Sequence, residues 1–177
     1  MIDTVVSPVI VTPRLRLRVP KATEAARIAR LADDPKVGPM TARIPHPYSL
    51  ADAEAFLAHV RVADPAHERV FAIERPGHGL IGMTGFHRGD FGRSELGYWL
   101  GRDFWGAGYA TEAVKALLAW ARVAWGRRMV MAGHFADNPA SGAVLDKAGF
   151  LYTGEVQRRW STARAACVPT RMMVWLA

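Results

Sequence analysis

The sequence predicts an α+β fold, a mixed sheet with helices on its faces, and three observations lead there. Half of the 177 residues are hydrophobic, enough to bury one sizeable core, and the length suits a single domain spanning 1–177. Segments with apolar residues at every second position are interleaved with segments of helical spacing. Their order is one strand, two helices, three strands, then helix, strand, helix and two strands, with no internal repeat and no obvious linker.

Each element has its own signal. Residues 12–20, TPRLRLRVP, set Leu15, Leu17 and Val19 against Arg14, Arg16 and Arg18. That is the alternation of a half-buried strand whose arginine face looks outward. Residues 22–33 carry Ala25, Ile28, Ala29 and Leu31 near helical spacing, and Pro35 stops that helix. The proline-rich stretch 34–49 reads as a loop long enough to serve function as well as connection. Ser49 and Asp52 have the S-x-x-D form of a capping box ahead of Ala53, Phe56, Leu57 and Val60, which predicts a second helix. RVFAIER (69–75) and LIGMTGFH (80–87) flank the turn PGHG as a hairpin, and SELGYWLG (94–101) is a further strand. From Tyr109 or Ala110 a helix runs with Ala110, Ala113, Val114, Leu117, Ala121 and Ala124 on one face, and its alanines allow close approach to a sheet. RRMVMAGHF (127–135) is a strand, and the next helix is opened by Asp137 or Asn138 and closed by Gly149. Strands around 150–157 and 168–176 finish the chain.

Composition excludes several classes. The formal charge is +7, from 23 Lys and Arg against 16 Asp and Glu, and a cationic surface suits nucleic acid, an anionic membrane or a phosphate-bearing ligand equally well. The arginines are scattered, and neither an aromatic RNA-binding strand nor zinc-finger spacing occurs, so no nucleic-acid partner is expected. No run of about 18 apolar residues is present. The opening, MIDTVVSPVIVTPRLRLRV, lacks a basic n-region and a continuous apolar h-region, so no membrane partner and a cytoplasmic location are expected. Cys167 is the single cysteine, which rules out an internal disulfide and any multi-cysteine metal site; it reads as a small strand hydrophobe, and no metal is expected.

The stretch FWGAGYATEA (104–113) places Gly106, Ala107 and Gly108 directly before a helix. Unpaired N–H groups and the positive end of the helix dipole converge there, and small residues let a phosphate reach them. The alternatives are weaker. GAGYAT has Thr111 in place of the third glycine of G-x-G-x-x-G and does not follow the first strand, and no P-loop lysine is present. A glycine-softened helix start made for packing is the remaining structural reading.

ELGYWLGRDFWGAGYATEA followed by NPASGAVLDKAGF resembles the GCN5-related N-acetyltransferases (GNAT), in particular the RimJ/RimL-like branch of ribosomal-protein alanine N-acetyltransferases. The likeness extends to TPRLRLRV, PHPYSLADAEAFL and IGMTGFH, and so to nearly the whole chain. It implies a V-split, mostly antiparallel sheet of about seven strands with about four helices, holding acetyl-coenzyme A. The pantetheine arm would lie along Tyr98, Trp99 and Leu100, and the pyrophosphate on the amides of Gly106, Ala107, Gly108, Tyr109, Ala110 and Thr111. Trp105 stands where the family pattern has Arg or Gln, and Ala107 where many relatives carry a long polar side chain. Asn138 is a helix cap by residue type and, by the resemblance, a further contact to the arm.

The implied chemistry is aminolysis of a thioester in a ternary complex. A neutral amine attacks, an oxyanion is stabilised and the departing thiolate takes a proton. An α-amino group, with a pKa of about 7.7–8.0, needs less deprotonation than a lysine amine at about 10.4. Many relatives place the acid, a tyrosine, where this chain has Leu145, which makes Ser141 the candidate for protonating the sulfur or binding it through water. An ordinary first-turn helix serine is the competing reading. Glu95 alternates with Gly97 and Trp99 on one face of its strand and is the candidate base, against an exposed edge glutamate; His87 and Glu155 are reserves. His134, Asp137 and Ser141 lack the G-x-S-x-G elbow of a hydrolase. The reading is therefore an N-acetyltransferase acting on a primary amine, whether a protein N-terminus, a small amine or an antibiotic. The alternative is a coenzyme-binding sensor without turnover, for which Leu145 is the hint. The 34–49 loop, the second helix and the final hairpin wall the acceptor side. Met40, Pro45, His46, Pro47 and Trp160 are lining candidates, and Arg158, Arg159 and Arg164 favour an acidic acceptor where they face the cleft. A homodimer is the commonest oligomer for such a domain.

Overall fold

The computed structural model describes residues 8–177; the opening residues 1–7, part of the stretch read above for a leader, lie outside them. Strands β1 (Ile10–Val11), β2 (Arg16–Arg18), β3 (Arg69–Arg75), β4 (Gly79–Arg88), β5 (Ser94–Leu100), β6 (Met129–Phe135), β7 (Leu151–Ser161) and β8 (Ala166–Leu176) form one sheet. Its order is β1-β2-β3-β4-β5-β6-β8-β7. Helices α1 (Ala25–Ala32), α2 (Leu50–Val62), α3 (Tyr109–Ala124) and α4 (Pro139–Lys147) complete it.

The eighth strand, β1, is the addition to the seven expected. It is two residues long, too short to show any alternation. The strand expected over 12–20 shrinks to Arg16–Arg18 because Pro13 has no N–H to give, and Thr12 closes a turn by donating its N–H to the Leu15 carbonyl at 2.9 Å. The arginine face is not simply solvated either. Arg18 is held between Glu24 and Glu74, its side chain only 14% exposed.

Alternation sorts the core onto two sides of the sheet. Phe71, Ile73, Leu96 and Leu100 pack with Val114, Leu117 and Leu145 of α3 and α4. Ala72, Leu80 and Met83 pack with Ile28, Ala53 and Leu57 of α1 and α2. Ala113, Ala121 and Leu117 of α3 are wholly buried, as the small-residue face requires, whereas Ala124 is exposed. The Ser49 capping box forms: Ser49 Oγ accepts the Asp52 N–H at 3.2 Å while Asp52 accepts the Ser49 N–H at 2.8 Å. Cys167 lies in β8, exposed.

One feature of the sheet positions the site. β5 and β6 are the only parallel neighbours among the described strands, and they meet at a single register pair, Glu95 with Met131. Beyond it the strands part as a V. Every other neighbouring pair is antiparallel. Among the described residues, no helix is long and apolar enough to cross a membrane.

Candidate active site

The parting of β5 from β6 opens a cleft of about 600 Å³. Gly97, Tyr98 and Trp99 line it from β5, Gly133–Phe135 from β6, and Ser141 and Leu145 from α4. Met40 to Pro45 and three residues of α2 close the opposite side, so the long loop and the second helix do wall it. His46, Pro47 and Trp160 are not among the lining residues; His46 pairs with Asp33 at 3.3 Å, and Trp160 is 55% exposed.

Past the end of β5, the Trp105 indole donates to the Leu100 carbonyl at 2.9 Å and ties the glycine loop to the strand. Gly106 and Gly108 have φ of 75° and 81°, left-handed values that a side chain resists. A Cβ at Gly106 would meet nothing, so conformation, not room, selects glycine there. Among the described residues no side chain caps α3. Its first intrahelical donor is the Glu112 N–H, to Gly108 at 3.1 Å, which leaves the amides of Gly108 to Thr111 free of helical partners. Behind the loop, Arg14 donates Nη1 to the Ala107 carbonyl at 2.9 Å and Nε to Glu112 at 2.7 Å. Thr12 Oγ1 reaches the other Glu112 oxygen at 2.6 Å. Burial pushes the Glu112 carboxyl up, but the bonds from Thr12 and Arg14 outweigh it and hold it below the usual carboxylate range. Nothing in composition pointed to this brace, although TPR and ATEA both stood within the quoted motifs.

On the other wall, Asn138 caps α4 by accepting the Ser141 N–H at 3.2 Å. Ser141 Oγ lies 2.7 Å from the Tyr98 hydroxyl, which also donates to the Ser141 carbonyl at 3.1 Å. A side chain of β5 thus crosses the gap to α4. Burial pushes the Tyr98 hydroxyl up to about 12, so it stays protonated. The sequence pointed to Tyr98 only as part of the strand along the arm; the alternation that puts Glu95, Gly97 and Trp99 on one face puts Tyr98 on the other, and that was the signal for its side chain. Leu145 is 1% exposed and packs in the core.

Glu95 is not an edge residue. It is 6% exposed, at the joint of the V, and Arg159 Nη1 clamps its Oε1. Arg159 in turn gives Nε to Gln157 at 2.9 Å and lies 3.5 Å from Asp90. His87, the cross-strand partner of Glu95, holds Nε2 3.9 Å from Glu95 Oε1 and also lines the cleft. Burial lowers its pKa first, and the Arg43 charge lowers it further, against the opposing pull of Glu95. Glu155 does not reach the cleft; it borders a separate shallow hollow and accepts a bond from Gln157 at 2.8 Å.

The other candidates have partners elsewhere. His134 bonds the Phe135 carbonyl and the Tyr152 hydroxyl, each at 2.9 Å, and Asp137 pairs with Arg164 at 2.6 Å, so no hydrolase triad assembles with Ser141. Arg164 also donates to the Pro39 carbonyl at 2.6 Å, pinning the long loop to the final hairpin. Arg158 bonds the Cys167 carbonyl at 3.0 Å. Of the three arginines expected to favour an acidic acceptor, only Arg159 lines the cleft, and its charge is answered by Glu95.

Residues 14–151 match the family model described as the acetyltransferase (GNAT) domain. A Bacillus subtilis relative described as the uncharacterized N-acetyltransferase YoaA is 33% identical over 81 residues, 45% of this chain and 46% of that one. The chain thus spans less than half the length of the curated relatives it matches. Among solved structures, a GNAT-family acetyltransferase from Bacillus anthracis has a TM-score of 0.82 at 20% identity, with 96% of this chain and 98% of that one covered. RimL, described as a ribosomal L7/L12 alpha-N-protein acetyltransferase in complex with coenzyme A, also has a TM-score of 0.82, at 16% identity and the same coverage.

Proposed function

Because this chain belongs to the acetyltransferase (GNAT) family, we propose that it transfers the acetyl group of acetyl-coenzyme A to a primary amine, the two substrates meeting between β5 and β6. One observation carries the reading: parallel strands that meet at a single pair open towards an uncapped helix start. A thioester arm can add to the freed strand edge, while a pyrophosphate takes the helix amides.

In this reading the backbones of Tyr98, Trp99 and Leu100 hold the pantetheine arm, with Asn138 beside it. The amides of Gly106, Ala107, Gly108, Tyr109, Ala110 and Thr111 hold the pyrophosphate. Ser141 donates a proton to the leaving thiolate, and its 2.7 Å bond to the Tyr98 hydroxyl holds it in place beside the cleft. Leu145 then removes no function, because a second tyrosine stands within reach of the same serine. Glu95 and His87, side by side across β4 and β5, form the proton-accepting end. A protein α-amine suits the site, since it reaches neutrality with little help near pH 8, whereas an alkyl amine at about 10.4 needs more deprotonation. With Arg158 and Arg164 bonded elsewhere and Arg159 answered by Glu95, those three arginines do not select for an acidic acceptor; Arg43 of the long loop is the other arginine that lines the cleft.

The test is thiol release from acetyl-coenzyme A with a panel of small amines and N-terminal peptides. Release that depends on the amine supports the enzyme. Tight binding of coenzyme A without release under any acceptor would make the chain a sensor instead.

A further inference from the structure

We propose that His87 is the general base of this reaction, taking the proton shed by the attacking amine, and that Glu95 positions it. This rests on the acetyltransferase reading above and deepens it.

Two carboxylate oxygens and two ring nitrogens compete for the role, and their surroundings separate them. Glu95 Oε1 is clamped by Arg159. Its Oε2 is packed over Gly89, where an added Cβ would sit 2.7 Å away. A proton placed on Glu95 would cancel the charge that answers Arg159 in a nearly closed site, where losing one partner strands the other. Glu95 is therefore a poor proton acceptor. His87 differs on each count. Both line the cleft, but its side chain is 25% exposed against 8% for Glu95. The ring lies over Gly97, with Nδ1 and Cε1 each 3.9 Å from where a Cβ would stand. Nδ1 has no hydrogen-bond partner among the described residues, while Nε2 faces Glu95 Oε1 at 3.9 Å. A proton on Nε2, directed at the carboxylate, leaves the Nδ1 lone pair open to the substrate.

The charges around the imidazole keep it ready. Arg43 reaches it from the long loop, Glu68 from just before β3, Glu95 from β5 and Arg159 from β7. Burial and the two arginines outweigh the two carboxylates, so the ring is neutral in neutral solution. A weak base suffices, because the amine nitrogen becomes strongly acidic only after it has bonded to the carbonyl carbon. The nitrogen lone pair forms the C–N bond as the carbonyl electrons move to oxygen. His87 Nδ1 takes the N–H proton, the C–S bond breaks, and the sulfur receives a proton from Ser141. Water in the cleft takes the His87 proton and returns one to Ser141, which restores the site and leaves an amide and a free thiol.

The test uses the purified protein and whichever amine the panel identifies. Wild-type kcat/KM should rise with pH through an apparent pKa below about 6.5, the ordinary histidine value. His87→Gln should lower kcat about a hundredfold, keep KM for acetyl-coenzyme A within about twofold, and lose that limb of the profile. Added imidazole should restore part of the rate of His87→Ala. Glu95→Gln, checked for folding by coenzyme A binding, should keep the limb but shift it to lower pH, because the carboxylate no longer favours the imidazolium. His87→Gln with an unchanged profile, or a limb that vanishes only in Glu95→Gln, overturns the assignment. A wild-type protein that acetylates no amine fails the function itself, and the assignment with it.

Discussion

Arg14→Met separates the glycine loop from the rest of the site. In a trans peptide the carbonyl of one residue and the N–H of the next point in opposite directions. With the Ala107 carbonyl turned back to Arg14 at 2.9 Å, the Gly108 N–H is turned away from it, towards the open side of the loop. Methionine keeps the length of the stem and removes both side-chain bonds. The ion pair to Glu112 involves an arginine 48% exposed, so it contributes only about 0.5 kcal/mol. The charge-assisted bond to the carbonyl adds about 1.5 kcal/mol. Thr12 still grips Glu112, so the loop loosens without unfolding, and a cost of about 1–2 kcal/mol corresponds to roughly 5–30-fold in affinity. Calorimetry with two ligands isolates the effect. Coenzyme A, which carries the pyrophosphate, should bind Arg14→Met about 5–30-fold more weakly, whereas pantetheine, which lacks it, should bind as to wild type. Equal losses for both ligands, or none for coenzyme A, would refute the reasoning.

Ser141→Ala should lower kcat about a hundredfold while coenzyme A affinity is kept, read by steady-state rates beside calorimetry. Leu145→Tyr should raise no rate and should overpack a wholly buried site. The expected cost is about 1–3 kcal/mol, seen as a lower Tm. Ser49→Ala removes a formed capping box and should cost about 1 kcal/mol, a fall in Tm of roughly 2–4 °C. Acid should weaken the fold through Glu24. Burial pushes that carboxyl up, but the bonds from Arg18 and the Lys21 N–H outweigh it and hold its pKa down. Stability from this depressed group is present above the ordinary carboxylate pKa of about 4.3 and is lost as pH falls through the folded value. Urea unfolding should show Glu24→Gln losing stability relative to wild type at pH 7 and matching it at strongly acid pH.

Most of the secondary structure was legible because local physics decides it. The Ser49 box, the alternation of β5 and the alanine face of α3 are properties of short windows. The glycine loop was legible too, since left-handed turns before a helix need residues that tolerate them. What escaped depended on distance in sequence. Arg18 was read as a solvated face because Glu74 lies on the neighbouring strand. Tyr98 with Ser141, Glu95 with Arg159 and Arg14 with Glu112 are pairs that only the sheet order brings together. The arginines of the last hairpin were read as favouring an acidic acceptor where they face the cleft, and two of the three are instead bonded to backbone carbonyls. Strand β1 was missed because two residues carry no period.

The central claim is that an amine and a thioester react where β5 and β6 diverge. Its most direct measurement is the rate of coenzyme A release from acetyl-coenzyme A, with and without amine, in wild type and Ser141→Ala. Release that rises with amine concentration to saturation, yields the acetylated amine in equal amount and falls about a hundredfold in the variant is the expected result. Release that ignores the amine, or that Ser141→Ala leaves untouched, would contradict it.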